Sequence, residues 1–187
     1  MKKLITVLML CVSMQASALE VKGVKVPETA QVGNATLQLN GAGLRTKFFF
    51  KVYVGALYLD KKAHTAADVL ANTGAKRIAM FWKMDVDNDD IQDGFDEDFD
   101  ANTTKAEKAA LAPQIKKFMA VFDTFKEVKK GDVIDLDYVP GEGTRISLNG
   151  KEMDRIAGAD FYHVLLRVWF GDHPADEDLE EGMLGGE

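Results

Sequence analysis

Arg45 is the residue best placed to do chemistry. It stands within Gly41-Ala-Gly-Leu-Arg-Thr-Lys-Phe-Phe-Phe-Lys-Val-Tyr-Val-Gly-Ala-Leu-Tyr-Leu59, at the bend between two strand-like runs that are otherwise largely apolar. A guanidinium keeps its charge, so in such a setting it must meet a carboxylate, carbonyl oxygens, water or an anionic ligand. Regular alternation puts Lys51 and Tyr53 on the parity of Arg45, unless a bend after Gly43 breaks the register. Two readings stay open. In one, Arg45 holds the carboxylate or phenolate of an apolar ligand lying between sheet and helices, Tyr53 donates a hydrogen bond and Lys51 stands close by. In the other, Arg45 bridges to one of the chain's many acids and Tyr53 is an edge aromatic.

Other chemistries fit less well. Asp85, Asp87, Asp89, Asp93 and Asp96 approach the spacing of a calcium loop, but Asp90 replaces the turn glycine and Asp96 the bidentate glutamate. The apolar residue also falls one position early. The segment therefore reads as the solvated, acid-rich start of a helix. His64, His163 and His173 lack metal-type spacing. Ser147 sits mid-strand with no nucleophile elbow. Gly41-Ala-Gly43 and Gly141-Glu-Gly143 lack the third glycine and lysine of phosphate loops, and read as turns or as places where backbones pass closely. No cofactor and no metal are expected.

The elements that must position Arg45 follow from periodicity. Residues 20–40 suggest one or two strands, with a turn at Gly33-Asn34. From Phe48 to Leu59 neither parity is polar, which predicts a strand covered on both faces. His64 to Asn72 reads as a short helix capped by Thr65 and Asp68, followed by a strand from Lys76 to Met84. Ile91, Phe95 and Phe99 make a narrow apolar stripe on a helix within Asp85 to Asp100. Thr104 with Glu107 begins another, kinked or restarted at Pro113, whose inward face carries Ile115, Phe118, Met119 and Phe122. Strands over 133–139 and 144–148, a turn at Asn149-Gly150, a helix over 159–170 and a last helix from near Ala175 complete the chain. Strands, helices, strands and helices in that order describe an α+β fold with a mostly antiparallel sheet under helices.

Lys2 and Lys3, the apolar run Leu4 to Val12 and Ala16-Ser17-Ala18 have the form of a Sec-type export signal cleaved after Ala18. The expectation is a leader over 1–18 and a single domain over 19–187, periplasmic or secreted. The one cysteine, Cys11, falls in that leader, so disulfides and thiolate chemistry are not expected beyond it. The formal net charge is −7, and the leader's only charges are its two lysines, so the remainder is more acidic still. That sign disfavours nucleic acid and anionic membrane surfaces as partners, and no membrane insertion is expected. Nothing in the sequence bears on oligomeric state.

Gly41 to Leu59 strongly resembles the chalcone isomerase-like family, specifically its bacterial exported branch. Tyr138-Val-Pro-Gly-Glu-Gly-Thr144, Asn149-Gly-Lys151, Trp169-Phe-Gly-Asp-His-Pro-Ala-Asp-Glu-Asp-Leu179 and Leu184-Gly-Gly186 resemble its later blocks in order. The resemblance implies an open-faced β-sandwich, a large antiparallel sheet with a helical layer on one side and a smaller sheet-like layer on the other. It also implies one of two activities: closure of a chalcone to a flavanone, an intramolecular-lyase isomerase reaction, or fatty-acid binding without catalysis. In the family's enzymes an arginine after a glycine-rich turn holds the phenolate, and threonine and tyrosine hydroxyls stabilise the enolate. Arg45 matches that arginine, and the enzyme's threonine falls at Tyr53, across a shorter hairpin. The family's tyrosine should follow the strand that begins at Lys76, but Asp85 to Asp100 contains none. The leading expectation is a non-catalytic periplasmic protein binding a small apolar, fatty-acid-like anion through Arg45. An isomerase using Arg45 and Tyr53, and a structural or partner-binding domain with no ligand, are the alternatives.

Overall fold

Tight turns break the chain into strands where residues that tolerate them occur. The computed structural model describes residues 18–186. The expected leader falls on residues outside this range, apart from Ala18, which opens the first strand. Strands β1 (Ala18–Val21) and β2 (Val24–Pro27) form a separate hairpin. Gly33, with φ 57°, turns β3 (Thr29–Val32) into β4 (Ala35–Lys47). The chain then reverses at Phe48 and Phe49 into β5 (Phe50–Leu59). Arg45 therefore lies inside a continuous strand, and the bend expected at that residue comes three positions later.

The helices are those the apolar stripes describe. Helix α1 (Ala66–Ala71) is capped by Thr65, whose hydroxyl accepts from the Asp68 amide. Strand β6 (Lys76–Trp82) stops two residues short of expectation, and β7 (Val86–Asp87) leads into α2 (Asn88–Asn102). Thr104 and Glu107 form a reciprocal capping box on α3 (Lys105–Ala110), and α4 (Ala112–Phe122) restarts with Pro113 in its first turn. The short β8 (Glu127–Val128) pairs with β7, and β9 (Val133–Val139), β10 (Gly143–Leu148) and β11 (Lys151–Ile156) follow. Helices α5 (Ala159–Phe170) and α6 (Glu177–Met183) end the chain.

Seven strands pair antiparallel in the order β11-β10-β9-β6-β5-β4-β3. Alternation then divides the core. Leu57, Ile78, Met80, Leu136 and Ile146 face the helices and pack with Phe95, Phe99, Phe118 and Phe161. Val54, Ala56, Tyr58 and Ala79 face the other way, where they cluster with Val32 and Leu37 of the same sheet and Val26 of the β1–β2 hairpin. Strand β5 is buried on both faces from Tyr53 to Leu59, as its lack of a polar parity predicts, but Phe48 to Lys51, which the same pattern placed under cover, are exposed because they form the hairpin's tip. This is the α+β, open-faced sandwich expected.

Two features hold β4 in place. The first is backbone contact without side chains: a Cβ on Gly43 would lie 2.6 Å from the Leu179 carbonyl oxygen, and one on Gly182 would lie 2.6 Å from the Gly43 Cα. Helix α6 therefore rests directly on β4, and Gly41-Ala-Gly43 is a close passage rather than a turn. The second is Asn40, placed at a bulge in β4. Its amide donates to the carbonyls of Ala63 (2.8 Å) and Met183 (2.9 Å) and accepts from the Ala63 amide (2.8 Å).

On the face away from the helices, Arg77 Nε and Nη2 donate to the fully buried Asp137 at 2.5 and 2.8 Å, and Arg145 Nε donates to it at 3.1 Å. Asp135 lies 3.5 Å from Arg77. Burial pushes its carboxyl up to about 6, and the negative charge of Asp137 adds to the effect, against the pull of Arg77 and Arg145.

Gly43→Ala should lower unfolding free energy by about 1–3 kcal/mol, because backbone on both sides must give way. Gly94→Ala, in the interior of α2 with nothing within 4 Å of the added methyl, should raise it by about 0.5–1 kcal/mol. Urea denaturation of the two variants measures both. Asp135 holds its proton more tightly folded than unfolded, so its share of stability is present below the ordinary carboxylate range and is lost as pH rises towards about 6. Asp135→Asn should remove a decline on the order of 2 kcal/mol over that window, read from melts at stepped pH.

Candidate functional site

The register of one hairpin sets the site. Arg45 on β4 pairs directly with Tyr53 on β5, then the ladder shifts: Thr46 pairs with Lys51 and Lys47 with Phe50, leaving Val52 as the extra residue of a bulge. A bulge of this kind changes which side chains share a face. Val52 and Phe50 line the same cavity as Arg45 and Tyr53, while Lys51 is exposed and lies outside it. The regular alternation that grouped Lys51 with Arg45 is therefore interrupted at Val52, and not after Gly43. Asp176 secures the bulge. One of its carboxylate oxygens accepts from the Thr46 amide (2.8 Å), and the other caps α6 by accepting from the Leu179 amide (2.9 Å).

Helix α2 forms the opposite wall. Its buried stripe, Ile91, Phe95 and Phe99, faces the core, and the neighbouring stripe of Asp90, Gly94, Glu97 and Asp98 recurs at helical spacing along the cavity edge. Arg45 Nη1 donates to Asp98 Oδ2 at 3.1 Å, with side chains only 13% and 15% exposed. Lys47 bridges to Glu97 at 3.2 Å in the open. Of the two sequence readings of Arg45, the internal ion pair is what the structure contains. The pair nevertheless borders a cavity of about 490 Å³, within the range of small-molecule sites. Val52, Met80, Trp82, Met84, Ile91 and Phe95 give it an apolar wall.

Tyr53 sits at the junction of wall and charge. Its hydroxyl accepts a hydrogen bond from Trp169 Nε1 at 3.0 Å, its ring lies 5.4 Å from that of Trp82, and the Arg45 guanidinium is 5.9 Å from its centre. Burial pushes the Tyr53 phenol up, an effect that Arg45 only partly offsets, so Tyr53 remains a neutral donor rather than a base. Burial works against the charge on Arg45 too, but Tyr53 and Asp98 outweigh it and raise its pKa. Asp98 goes the other way from an ordinary ion-paired acid. Burial holds its carboxyl above the usual range despite Arg45. A guanidinium has five donors, so Arg45 can engage a second acceptor beside Asp98 or exchange one for the other.

The acid-rich segment is helical from Asn88 onward, so its carboxylates cannot wrap an ion as a calcium loop does. Among the described residues no group of three or more metal-ligating side chains converges. Asp98 and Trp169 are the site residues that sequence reasoning missed. Asp98 had a signal, lying between Phe95 and Phe99 on a helix otherwise acidic towards solvent. Trp169 had none, since it is 116 residues from the hydroxyl it meets.

The seven-stranded antiparallel sheet packed against helices is the fold of a known family. The family described as chalcone isomerase-like matches residues 18–185, and the chain belongs to that family. Among solved structures, a fatty-acid binding protein of Arabidopsis thaliana superposes with a TM-score of 0.66 at 16% identity, covering 91% of this chain and 96% of that one. At that identity the likeness is one of fold. No curated protein sequence matches the chain.

Replacing Arg45 with Leu should destabilise the chain by about 1–3 kcal/mol, because Asp98 is left desolvated without its cation. Arg45→Leu with Asp98→Leu should recover most of that loss. A double-mutant cycle that includes Asp98→Leu alone, read by chemical denaturation, measures the coupling, and a loss in the double variant equal to the sum of the two single losses would show that the pair does not interact.

Proposed function

We propose that the chain is a non-catalytic binding protein that takes a small apolar anion of fatty-acid type, with its carboxylate at Arg45 and its tail along Met80, Trp82 and Phe95. The observation that carries this reading is the pairing of one half-buried guanidinium with an apolar-walled cavity of about 490 Å³. The fatty-acid binding protein that shares the fold supports it. Four acids, Asp90, Asp93, Glu97 and Asp98, line the same cavity, so an anion has a favourable position only at the Arg45 end. There it competes with Asp98 for the guanidinium. Stripped of its cation, the Asp98 carboxyl, already held above its usual range, takes up a proton. Binding of the anion is thereby coupled to proton uptake.

The leader-like residues 1–18 support export, and we place the protein in the periplasm or outside the cell, in the exported branch of the family. Terminal sequencing of protein recovered from the periplasmic fraction should then begin at Leu19. Tyr53 remains the candidate hydrogen-bond donor to the ligand head, and Lys51 is not part of the site.

Mass spectrometry of material extracted from purified protein should find an acyl acid. Titration with a fatty acid should lose at least tenfold in affinity in Arg45→Met, while the matching alcohol is little affected. Asp98→Asn should bind the acid several-fold more tightly at alkaline pH. In the native protein affinity should weaken as pH rises through the elevated pKa of Asp98, and in Asp98→Asn it should not. Equal affinity for acid and alcohol would sink the role given to Arg45. Flavanone formation from a chalcone, abolished in Tyr53→Phe, would favour the isomerase reading instead.

A further inference from the structure

The turn between β4 and β5 is the most apolar exposed feature among the described residues. Phe48, Phe49 and Phe50 are 80%, 99% and 62% exposed, where every other large apolar residue described, apart from Leu19, is buried or half-buried. Phe48 and Phe49 have φ of 50° and 76°, the left-handed region that a two-residue hairpin turn demands and that asparagine and glycine fill without strain. The chain's other two-residue hairpin turns, Lys22-Gly23, Gly33-Asn34 and Asn149-Gly150, each include a glycine at positive φ. Two phenylalanines in such a turn neither ease the backbone nor bury surface, so folding gives no reason for them.

From this we infer that the Phe48–Phe50 tip seats in the interfacial region of a phospholipid bilayer. The occupant follows from three observations. A convex tip of three side chains is too small for the roughly 800 Å² per partner that a stable protein interface buries, whereas a fluid bilayer closes around a protruding aromatic tip. Lys51 flanks the tip in the open, and Lys47, on its other side, is bridged to Glu97. Lys83 lies behind it, bonded through its amide to Val52 and through its ammonium to the Lys22 carbonyl. Lysines therefore stand beside the tip within reach of lipid phosphates, while the acids of α2 stay along the cavity wall. Finally, Phe48 and Phe50 also line the mouth of the cavity beside Arg45, so the seated tip opens the cavity onto the acyl layer. The acidic remainder of the chain favours a zwitterionic over an anionic surface. Seating is shallow. No described helix is long and apolar enough to cross a membrane.

The inference stands whatever fills the cavity and is tested without ligand. Flotation with phosphatidylcholine vesicles should carry the native protein upward, and Phe48→Asn with Phe49→Gly should reduce the bound fraction at least tenfold while melting at the same or a higher temperature. Phe49→Trp supplies a probe at the tip. Its added emission should shift to the blue on mixing with vesicles and be quenched by brominated acyl chains. Undiminished flotation of the Asn-Gly variant would overturn the inference, as would an added indole emission in Phe49→Trp that is indifferent to lipid. Tip-dependent dimers in sedimentation without vesicles, and no flotation, would assign the patch to a second copy of the chain and overturn it equally.

Discussion

The contact on which the site depends is the one between two stretches of bare backbone, β4 at Gly41 and Gly43 and α6 at Gly182. Helix and strand approach closely enough that a single methyl group on either would meet main-chain atoms. Main chain cannot rotate aside as a side chain can, so this contact sets the height of α6 over the sheet. Everything polar around it then falls into place. Asn40 reaches the end of α6, and Asp176 at its start binds the amide freed by the β4–β5 irregularity. That irregularity turns Val52 into the cavity and Lys51 out of it.

Within this frame Arg45 is neither a free anion anchor nor an inert strut. It has a partner, Asp98, supplied by a helix more than fifty positions away. Both charges are largely removed from water, and burial disfavours both: for the arginine Tyr53 and Asp98 outweigh it, while the acid is held above its usual range. Tyr53, anchored by Trp169, stays neutral beside them and contributes a hydroxyl instead of a base.

Much of the architecture was legible from the chain. The Thr65 cap, the Thr104 and Glu107 capping box, the restart at Pro113 and the Asn149-Gly150 turn are each written within a few residues of where they act. The stripe of Ile91, Phe95 and Phe99 likewise predicted both the helix and its buried face. The site was legible in half. Arg45 and Tyr53, placed on one parity by regular alternation, do line one cavity, but Lys51 was grouped with them by an alternation that the bulge at Val52 interrupts. A one-residue irregularity leaves no mark on composition and reverses every later side chain.

The sequence by itself determined the kinds of element and their order and singled out Arg45, because helix caps, turn chemistry and hydrophobic period act over a handful of residues. Tertiary structure alone decided that Asp98, among many acids, neutralises that cation. It also decided that Trp169 holds Tyr53, and that three phenylalanines stand outside the core, two of them lining the cavity. Those outcomes depend on how closely α6 and α2 approach the sheet, and that distance is set by packing between segments far apart in the chain, which no local pattern encodes.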